Sequence, residues 1–295
     1  MRVANSARID VRGTLRDGMA RLRAANVPSH ALAAELLLMH ALGRDRTWLY
    51  ANPEAAVDEA TAEKFSELVA RRAAGTPTQY LTGKQEFWGL EFEVTPAVLI
   101  PRPETEHVVE VALERLGVER GRGPLRVADV GTGSGCIAVA LARELQRAEI
   151  FATDVSADAL KIARRNAERH GVAARVRFVE CNLLDGVAGD GEPFDLIVSN
   201  PPYVAREEEA QLPREVREHE PHAALFAGTS GTEIYERLIA QAAKQLRRGG
   251  LLVVEIGYGA LERVRPLFGD SRAWTDVRVT NDLAGIPRVL SAVRA

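Results

Sequence analysis

The spacing of hydrophobic and polar positions changes along the chain. Up to about residue 82 the sequence is rich in alanine, leucine and arginine, with apolar residues recurring at helical intervals. Residues 31–42 read as a helix, with Ser29 placed to cap its start and Gly43 to stop it. Residues 56–74 repeat the pattern, and Gly75-Thr76-Pro77 ends it. These segments predict a small all-α domain over residues 1–82. His30, His40, Trp48 and Tyr50 fall inside it and read as packing or surface residues.

A different texture begins at Gln85. Phe87-Trp88-Gly89-Leu90-Glu91-Phe92-Glu93-Val94 is aromatic and alternating, which predicts a strand pair. Pro96, Pro101 and Pro103 then break any regular element, so residues 83–105 read as a hairpin-like linker. From Glu106 to the end the pattern alternates. Helical periodicity over 108–116, 137–145, 157–170 and 232–246 is interleaved with apolar runs over 125–130, 148–154, 175–179, 194–198 and 251–256. Continuous apolar runs between helices predict a parallel sheet covered on both faces, an α/β domain spanning 106–295. The last two runs, 277–280 and 288–293, are joined by a Gly-Ile-Pro turn and predict a terminal antiparallel hairpin.

Length and composition narrow the function classes. A chain of 295 residues holds one large domain and a small one. Its net charge of −3 gives no electrostatic reason to expect nucleic acid or an acidic membrane as partner. Cys136 and Cys181 are not in a paired metal-ligand spacing, so neither a disulfide framework nor a metal site is expected. The first residues are charged throughout and lack the apolar core of a signal peptide, and no run reaches membrane-spanning length. A reducing, cytoplasmic setting and a monomeric state are the expectations.

Two stretches carry chemistry. Asp129-Val130-Gly131-Thr132-Gly133-Ser134-Gly135 follows the first strand of the α/β part and opens a helix. Glycines there permit a tight turn and close approach of a ligand to bare backbone. Asp154 closes the next strand about twenty residues further on, where an acid can accept both hydroxyls of a ribose. Gly133 to Ala138 also satisfies the loose dinucleotide pattern G-x-G-x-x-A, so a nicotinamide cofactor stays open on this loop alone. Asp129 argues for S-adenosylmethionine instead, because its charge opposes a pyrophosphate and favours a cation. The second stretch is Asn200-Pro201-Pro202-Tyr203, directly after an apolar strand. Two prolines cannot donate backbone hydrogen bonds, so they fix a stiff turn rich in acceptors beside the Asn200 amide. Such a cluster suits a planar NH2 group and has no evident task in hydride transfer.

In this order, the acidic glycine loop, Asp154 and Asn200-Pro201-Pro202-Tyr203 resemble the class I S-adenosylmethionine-dependent methyltransferases that act on planar nitrogen. Leu99-Ile100-Pro101-Arg102-Pro103-Glu104-Thr105-Glu106 and Glu220-Pro221-His222-Ala223-Ala224-Leu225 narrow the resemblance to the glutamine methyltransferases of peptide chain release factors, the PrmC or HemK family. The resemblance covers nearly the whole chain. It implies a Rossmann-like, mostly parallel seven-stranded sheet with a C-terminal antiparallel hairpin, behind a helical substrate-docking domain. It implies S-adenosylmethionine as cofactor, with Gly131, Thr132, Gly133, Ser134 and Gly135 around its methionine part and Asp154 on the ribose. Asn200, Pro201, Pro202 and Tyr203 would grip the substrate glutamine, with Asn200 also beside the cofactor. The family's usual acid for the adenine amine is replaced here by Cys181, which leaves that contact to Asn182, backbone groups or apolar packing.

The resemblance makes Asn200, Pro201 and Tyr203 the catalytic set. The Asn200 side-chain oxygen and the Pro201 carbonyl are expected to accept the two N–H bonds of the substrate amide, and Tyr203 to pack beside its plane. Arg102, Glu104 and Thr105 are expected at a hinge or over the cofactor, and residues 206–220 are expected as a mobile flap or a solvated surface. Competing substrates are a ribosomal-protein glutamine and nucleic-acid adenine N6. From another class comes a non-catalytic scaffold that merely binds the cofactor.

Overall fold

The computed structural model describes residues 10–117, 124–187, 192–269 and 272–295. They divide into one unit of Met1–Gly83 with Pro213–His219 and a second of Lys84–Leu212 with Glu220–Ala295. Residues 1–9 of the predicted helical domain lie outside the described residues.

The first unit consists of α1 (Val11–Ala24), α2 (His30–Leu42), α3 (Arg46–Ala51), α4 (Glu59–Ala73) and α5 (Thr78–Thr82). Leu22, Leu37, Leu38, Leu49, Phe65 and Val69 form its dry centre. Gly43 ends α2 in the left-handed conformation, as its lack of a side chain permits. Ser29 does not cap that helix as expected. It stands at the N-cap position, but its backbone is left-handed (φ 49°), whereas a capping hydroxyl needs an extended backbone, and its side chain makes no capping bond. The next long helix starts later than its apolar pattern suggests, because Asp58 accepts from Thr61 N at 2.9 Å and sets the first turn there. Pro213–His219 belongs to this unit. Its helix α9 (Arg214–His219) carries Glu215, 2.6 Å from the guanidinium of buried Arg72. Part of the stretch expected as a flap is therefore packed against a buried charge.

The second unit opens with a hairpin of β1 (Lys84–Phe87) and β2 (Leu90–Glu93), turned at Trp88-Gly89, both with positive φ. The strands begin earlier than the aromatic pattern suggests, since Lys84, Gln85 and Glu86 supply the polar half of the pair. The hairpin falls within the sheet-bearing unit, which begins at Lys84. Phe87 and Phe92 meet edge to face and are fully buried in the core of that unit, each burial contributing roughly 1.5–3 kcal/mol. Glu106 accepts from Trp88 N, and Asn166 accepts from Glu93 N.

After a short 3-10 turn at Pro103–Thr105, the chain runs through α6 (Glu106–Leu116), β3 (Arg126–Val130), α7 (Cys136–Glu144), β4 (Glu149–Asp154), α8 (Ala157–Arg169), β5 (Val176–Glu180) and β6 (Phe194–Ser199). Then come β7 (Val204–Ala205), α10 (His222–Leu225) after α9, β8 (Phe226–Gly228), α11 (Glu233–Gln245), β9 (Leu246–Glu255), α12 (Leu261–Val264), β10 (Trp274–Asn281) and β11 (Pro287–Arg294). Seven strands form one sheet in the order β10-β11-β9-β6-β3-β4-β5. β9, β6, β3, β4 and β5 are parallel, while β11 joins β9 and β10 joins β11 antiparallel. This is the expected architecture. Each central strand sends alternate residues to opposite cores. Val127, Leu196, Val198 and Val253 face α6 and α7, whereas Ala128, Ile197 and Val254 face α11. That double burial is why the strands read as unbroken apolar runs.

Candidate active site

The strand order reverses at β3, with β4 on one side and β6 on the other, and ligands of open α/β sheets bind beyond the carboxyl ends at such a point. The two motifs meet there. Gly131 N and Thr132 N donate to Thr153 O at 2.9 and 2.8 Å, folding the loop back over the end of β4. Gly131, Gly133 and Gly135 all have positive φ. A Cβ added at Gly131 or Gly133 would meet nothing within 4 Å, whereas at Gly135 it would lie 3.0 Å from the Ala163 Cβ. The first two glycines thus face open space, and the third is a packing contact against α8.

Two acids support the loop. Asp154 accepts from Gly133 N and Ser156 N, each at 2.9 Å. Burial raises its pKa against those hydrogen bonds. Asp129 is wholly buried, and its Oδ2 accepts from Thr132 Oγ1 at 2.6 Å and from Ala138 N at 3.1 Å. Its carboxylate is turned beneath the loop, so its first task is to hold the turn. Desolvation pushes its pKa up to about 7, against the opposing bonds from Thr132 and Ala138. Asp129 Oδ1 and Ser134 Oγ are buried without a hydrogen-bond partner among the described residues. Open space over bare glycines, two acids and two unsatisfied polar atoms fit a small cationic, hydroxyl-bearing ligand.

Because the Asp129 pKa is raised on folding, its contribution to stability is full below the ordinary carboxyl value of 3.8 and is lost as pH rises through about 7. The ligand-free protein is expected to melt at progressively lower temperature between about pH 4 and 7, an effect shared with Glu255, whose pKa burial also raises to about 7, and Asp129→Asn is expected to make that slope shallower. Calorimetry of both proteins across the range checks this, and parallel slopes would refute it.

On the other side of β3, Ser199 Oγ donates to Val130 O at 2.7 Å and ties the end of β6 to the loop. Asn200 follows. Its Nδ2 donates to Thr105 Oγ1 at 3.0 Å, and Thr105 Oγ1 donates to Glu255 Oε2 at 2.6 Å. Pro201 is buried and Pro202 half-buried. The Tyr203 ring lies where a Gly257 side chain would stand, since a Cβ there would sit 2.6 Å from Tyr203 Cδ2. Burial pushes the Tyr203 hydroxyl up to about 12, so it stays protonated. Gly257→Ala must move this ring. Turnover should fall by about 10-fold or more with cofactor affinity unchanged, and equal kinetics would show that the ring position is immaterial.

One cavity is lined by Gly131, Thr132, Gly133, Ser134 and Asn200, joined by Arg102 and Thr105. Gly135 lies behind it at the start of α7, and Asp154 reaches the loop through Gly133 N. Asn182 is exposed beyond β5 and does not line this cavity. Cys181 is half-buried, its N donating to Asp154 O at 3.0 Å. Arg102 pairs with buried Glu220, whose other oxygen accepts from Ile100 N at 3.4 Å. Leu99, Pro101, Cys136 and Ile137 also line the cavity without having been singled out as site residues, and Glu255 was not foreseen. The proline-broken stretch before α6 was the signal for the first two. No local pattern marks Glu255 as more than the end of a buried strand.

Residues 14–83 match the family described as PrmC N-terminal domain, and residues 110–218 match the methyltransferase small domain. A release factor glutamine methyltransferase of Koribacter versatilis is 46% identical over 269 residues, covering 91% of this chain and 93% of the relative. The protein of that name from Nitratidesulfovibrio vulgaris is 44% identical, covering 100% of this chain and 98% of its own length. Among solved structures, the hMettl16 catalytic domain in complex with an RNA hairpin superposes with a TM-score of 0.56 at 21% identity, covering 77% of this chain and 82% of that one. At that identity the likeness speaks for the fold alone.

Proposed function

The chain belongs to the release factor glutamine methyltransferase family, and from that premise we propose how its own residues perform the reaction. The substrate is the side-chain amide of a glutamine in a peptide chain release factor, and the donor is S-adenosyl-L-methionine. We assign the target to the Gly-Gly-Gln loop and the reacting atom to N5, with the enzyme acting as a cytoplasmic monomer.

When bound, the cofactor supplies an electrophilic methyl group. Gly131, Thr132, Gly133, Ser134 and Gly135 form the cradle for its methionine part, and Asp154 stands at the ribose. Asn182, exposed beyond β5, is at most a peripheral contact to the adenine. The amide nitrogen is a poor nucleophile because its lone pair is delocalised, so geometry carries the chemistry. Asn200 Oδ1 and the Pro201 carbonyl accept its two N–H bonds, Pro202 stiffens the turn, and Tyr203 packs beside the amide plane. Held this way, the reaction gains from positioning, which can supply on the order of 7–11 kcal/mol. The new N–C bond replaces the donor's S–CH3 bond, whose electron pair stays on sulfur, and the nitrogen then loses one proton to water, so no residue of the motif has to act as a strong base.

The observation that carries this reading is the meeting of Asn200 with the glycine loop on one cavity, in a chain 46% identical to a named release factor methyltransferase over 91% of its length. Mass spectrometry of purified release factor, incubated with the protein and S-adenosylmethionine, tests it. One added methyl on the loop glutamine is expected. Methylation of a ribosomal-protein glutamine or of nucleic-acid adenine, with the release factor untouched, would overturn it.

A further inference from the structure

Beyond the substrate-facing motif lies a buried chain of side chains that the reaction as proposed does not use. β6 and β9 are parallel, with Ser199 opposite Val254, so the next positions, Asn200 just beyond β6 and Glu255 at the last residue of β9, come side by side at the end of the sheet. Thr105, from the 3-10 turn before α6, fills the space between them. It is 3% exposed and Glu255 2%. The three form one line, Asn200 Nδ2 to Thr105 Oγ1 to Glu255 Oε2, at 3.0 and 2.6 Å.

The donor inventory fixes the sense of this line. An ionised carboxylate only accepts, and a threonine hydroxyl has a single hydrogen. Once Thr105 donates to Glu255 it can only accept from Asn200. Asn200 must then turn its NH2 edge inward, which directs Oδ1 outward. A nucleophile bearing two N–H bonds needs that outward acceptor. We propose that Thr105 and Glu255 are positioning residues for methyl transfer, and that the ionised state of Glu255, relayed by the Thr105 hydroxyl, selects the productive orientation of the Asn200 amide. This deepens the functional reading above and rests on it.

The relay makes the site sensitive to pH. A protonated Glu255 can donate to Thr105, which frees the hydroxyl hydrogen to point at Asn200 and favours the flipped amide. Its NH2 group would then confront the NH2 group of the substrate. Burial raises the Glu255 pKa to about 7, against the bond from Thr105. The groups that face it are Arg288 from β11, Glu104 in the 3-10 turn and Arg102 just before it, Cys136 from α7, Tyr203 from the substrate motif and Tyr235 from α11, whose hydroxyl donates to Glu255 O. Arg288 and Arg102 are themselves paired with Asp282 and Glu220, so among the described residues these two cations are shared rather than dedicated to Glu255.

The test compares Thr105→Val, Thr105→Ser and Glu255→Gln with the unaltered enzyme at saturating cofactor. Thr105→Val should lower kcat about 10- to 100-fold, the scale of one lost buried hydrogen bond, with cofactor Kd within about two-fold. Thr105→Ser should restore most of the loss. The unaltered enzyme should lose kcat as pH falls through about 7, and Glu255→Gln should abolish that limb. A Thr105→Val enzyme with normal kcat, a serine variant as impaired as the valine one, or an acid limb that survives in Glu255→Gln would each overturn the proposal. A second arm needs no substrate. The Asn200 side-chain NH2 resonances of the free protein, assigned by their loss in Asn200→Ala, should shift with pH in the unaltered protein and stay fixed in Glu255→Gln. Pronounced shifts in a protein that methylates no release factor would uphold the relay and reject the functional reading. Resonances that ignore pH in both proteins would reject the relay.

Discussion

Asn200→Ala is expected to lower turnover on release factor by about 10²- to 10³-fold while leaving S-adenosylmethionine affinity within about three-fold. The asymmetry follows from what the side chain touches. Its amide donates to Thr105, which keeps its own bond to Glu255 when Asn200 is shortened. The glycine loop is held separately, by Thr153 O, Asp154 and Asp129. Removing the amide therefore leaves the glycine loop's own hydrogen bonds intact and takes away the acceptor we propose for orienting the nucleophile. Methyl transfer from labelled cofactor gives the turnover, and calorimetry with the product S-adenosylhomocysteine gives the affinity. A variant that keeps normal turnover would remove Asn200 from the mechanism. One that loses affinity and turnover in proportion would make it a cofactor-binding residue only.

What the sequence disclosed depended on whether a feature is written in adjacent residues. The sheet was legible because residues such as Val127 and Ala128 are buried on opposite faces, which leaves a continuous apolar run with no polar partner to confuse it. Asn200 and the glycine loop were legible because turn chemistry and glycine placement are local. The hairpin before α6 was seen only in its aromatic half, since Lys84, Gln85 and Glu86 have no strand signature of their own. Ser29 has the residue type of a cap, but the chain enters α2 through a left-handed backbone that its sequence does not announce. Residues 206–220 look like any charged loop, yet Glu215 finds buried Arg72, and the short parallel pair of β7 and β8 brackets the excursion. Glu255 and Thr105 are 150 positions apart and meet only because α6, which Thr105 precedes, packs on β9, while β6 beside β9 brings in Asn200. Register across a parallel sheet is a property of the fold, and no window of sequence contains it.

The glycine loop gives the second large effect, and it separates two kinds of glycine. Gly133→Ala and Gly135→Ala each force an L-residue into a left-handed backbone, φ 54° and 82°, at a cost of about 1–2 kcal/mol. Beyond that shared strain they diverge. At Gly135 the new methyl group would lie 3.0 Å from Ala163 Cβ and 3.1 Å from Ala163 Cα, so α8 or the start of α7 must shift. Helix backbone yields poorly, and the total loss of stability should reach about 2–4 kcal/mol. At Gly133 the methyl group meets no protein atom within 4 Å and extends instead into the open side of the loop. Stability should fall only by the backbone strain, whereas S-adenosylmethionine affinity should drop about 10- to 100-fold as the methyl takes up ligand space. Thermal unfolding and calorimetric titration of both variants read the two quantities independently. A Gly133→Ala protein that binds the cofactor normally would move the binding surface away from this loop. If instead Gly135→Ala melted no lower than Gly133→Ala, α8 would have room to yield, and the tight approach of the third glycine would not be what fixes the loop in place.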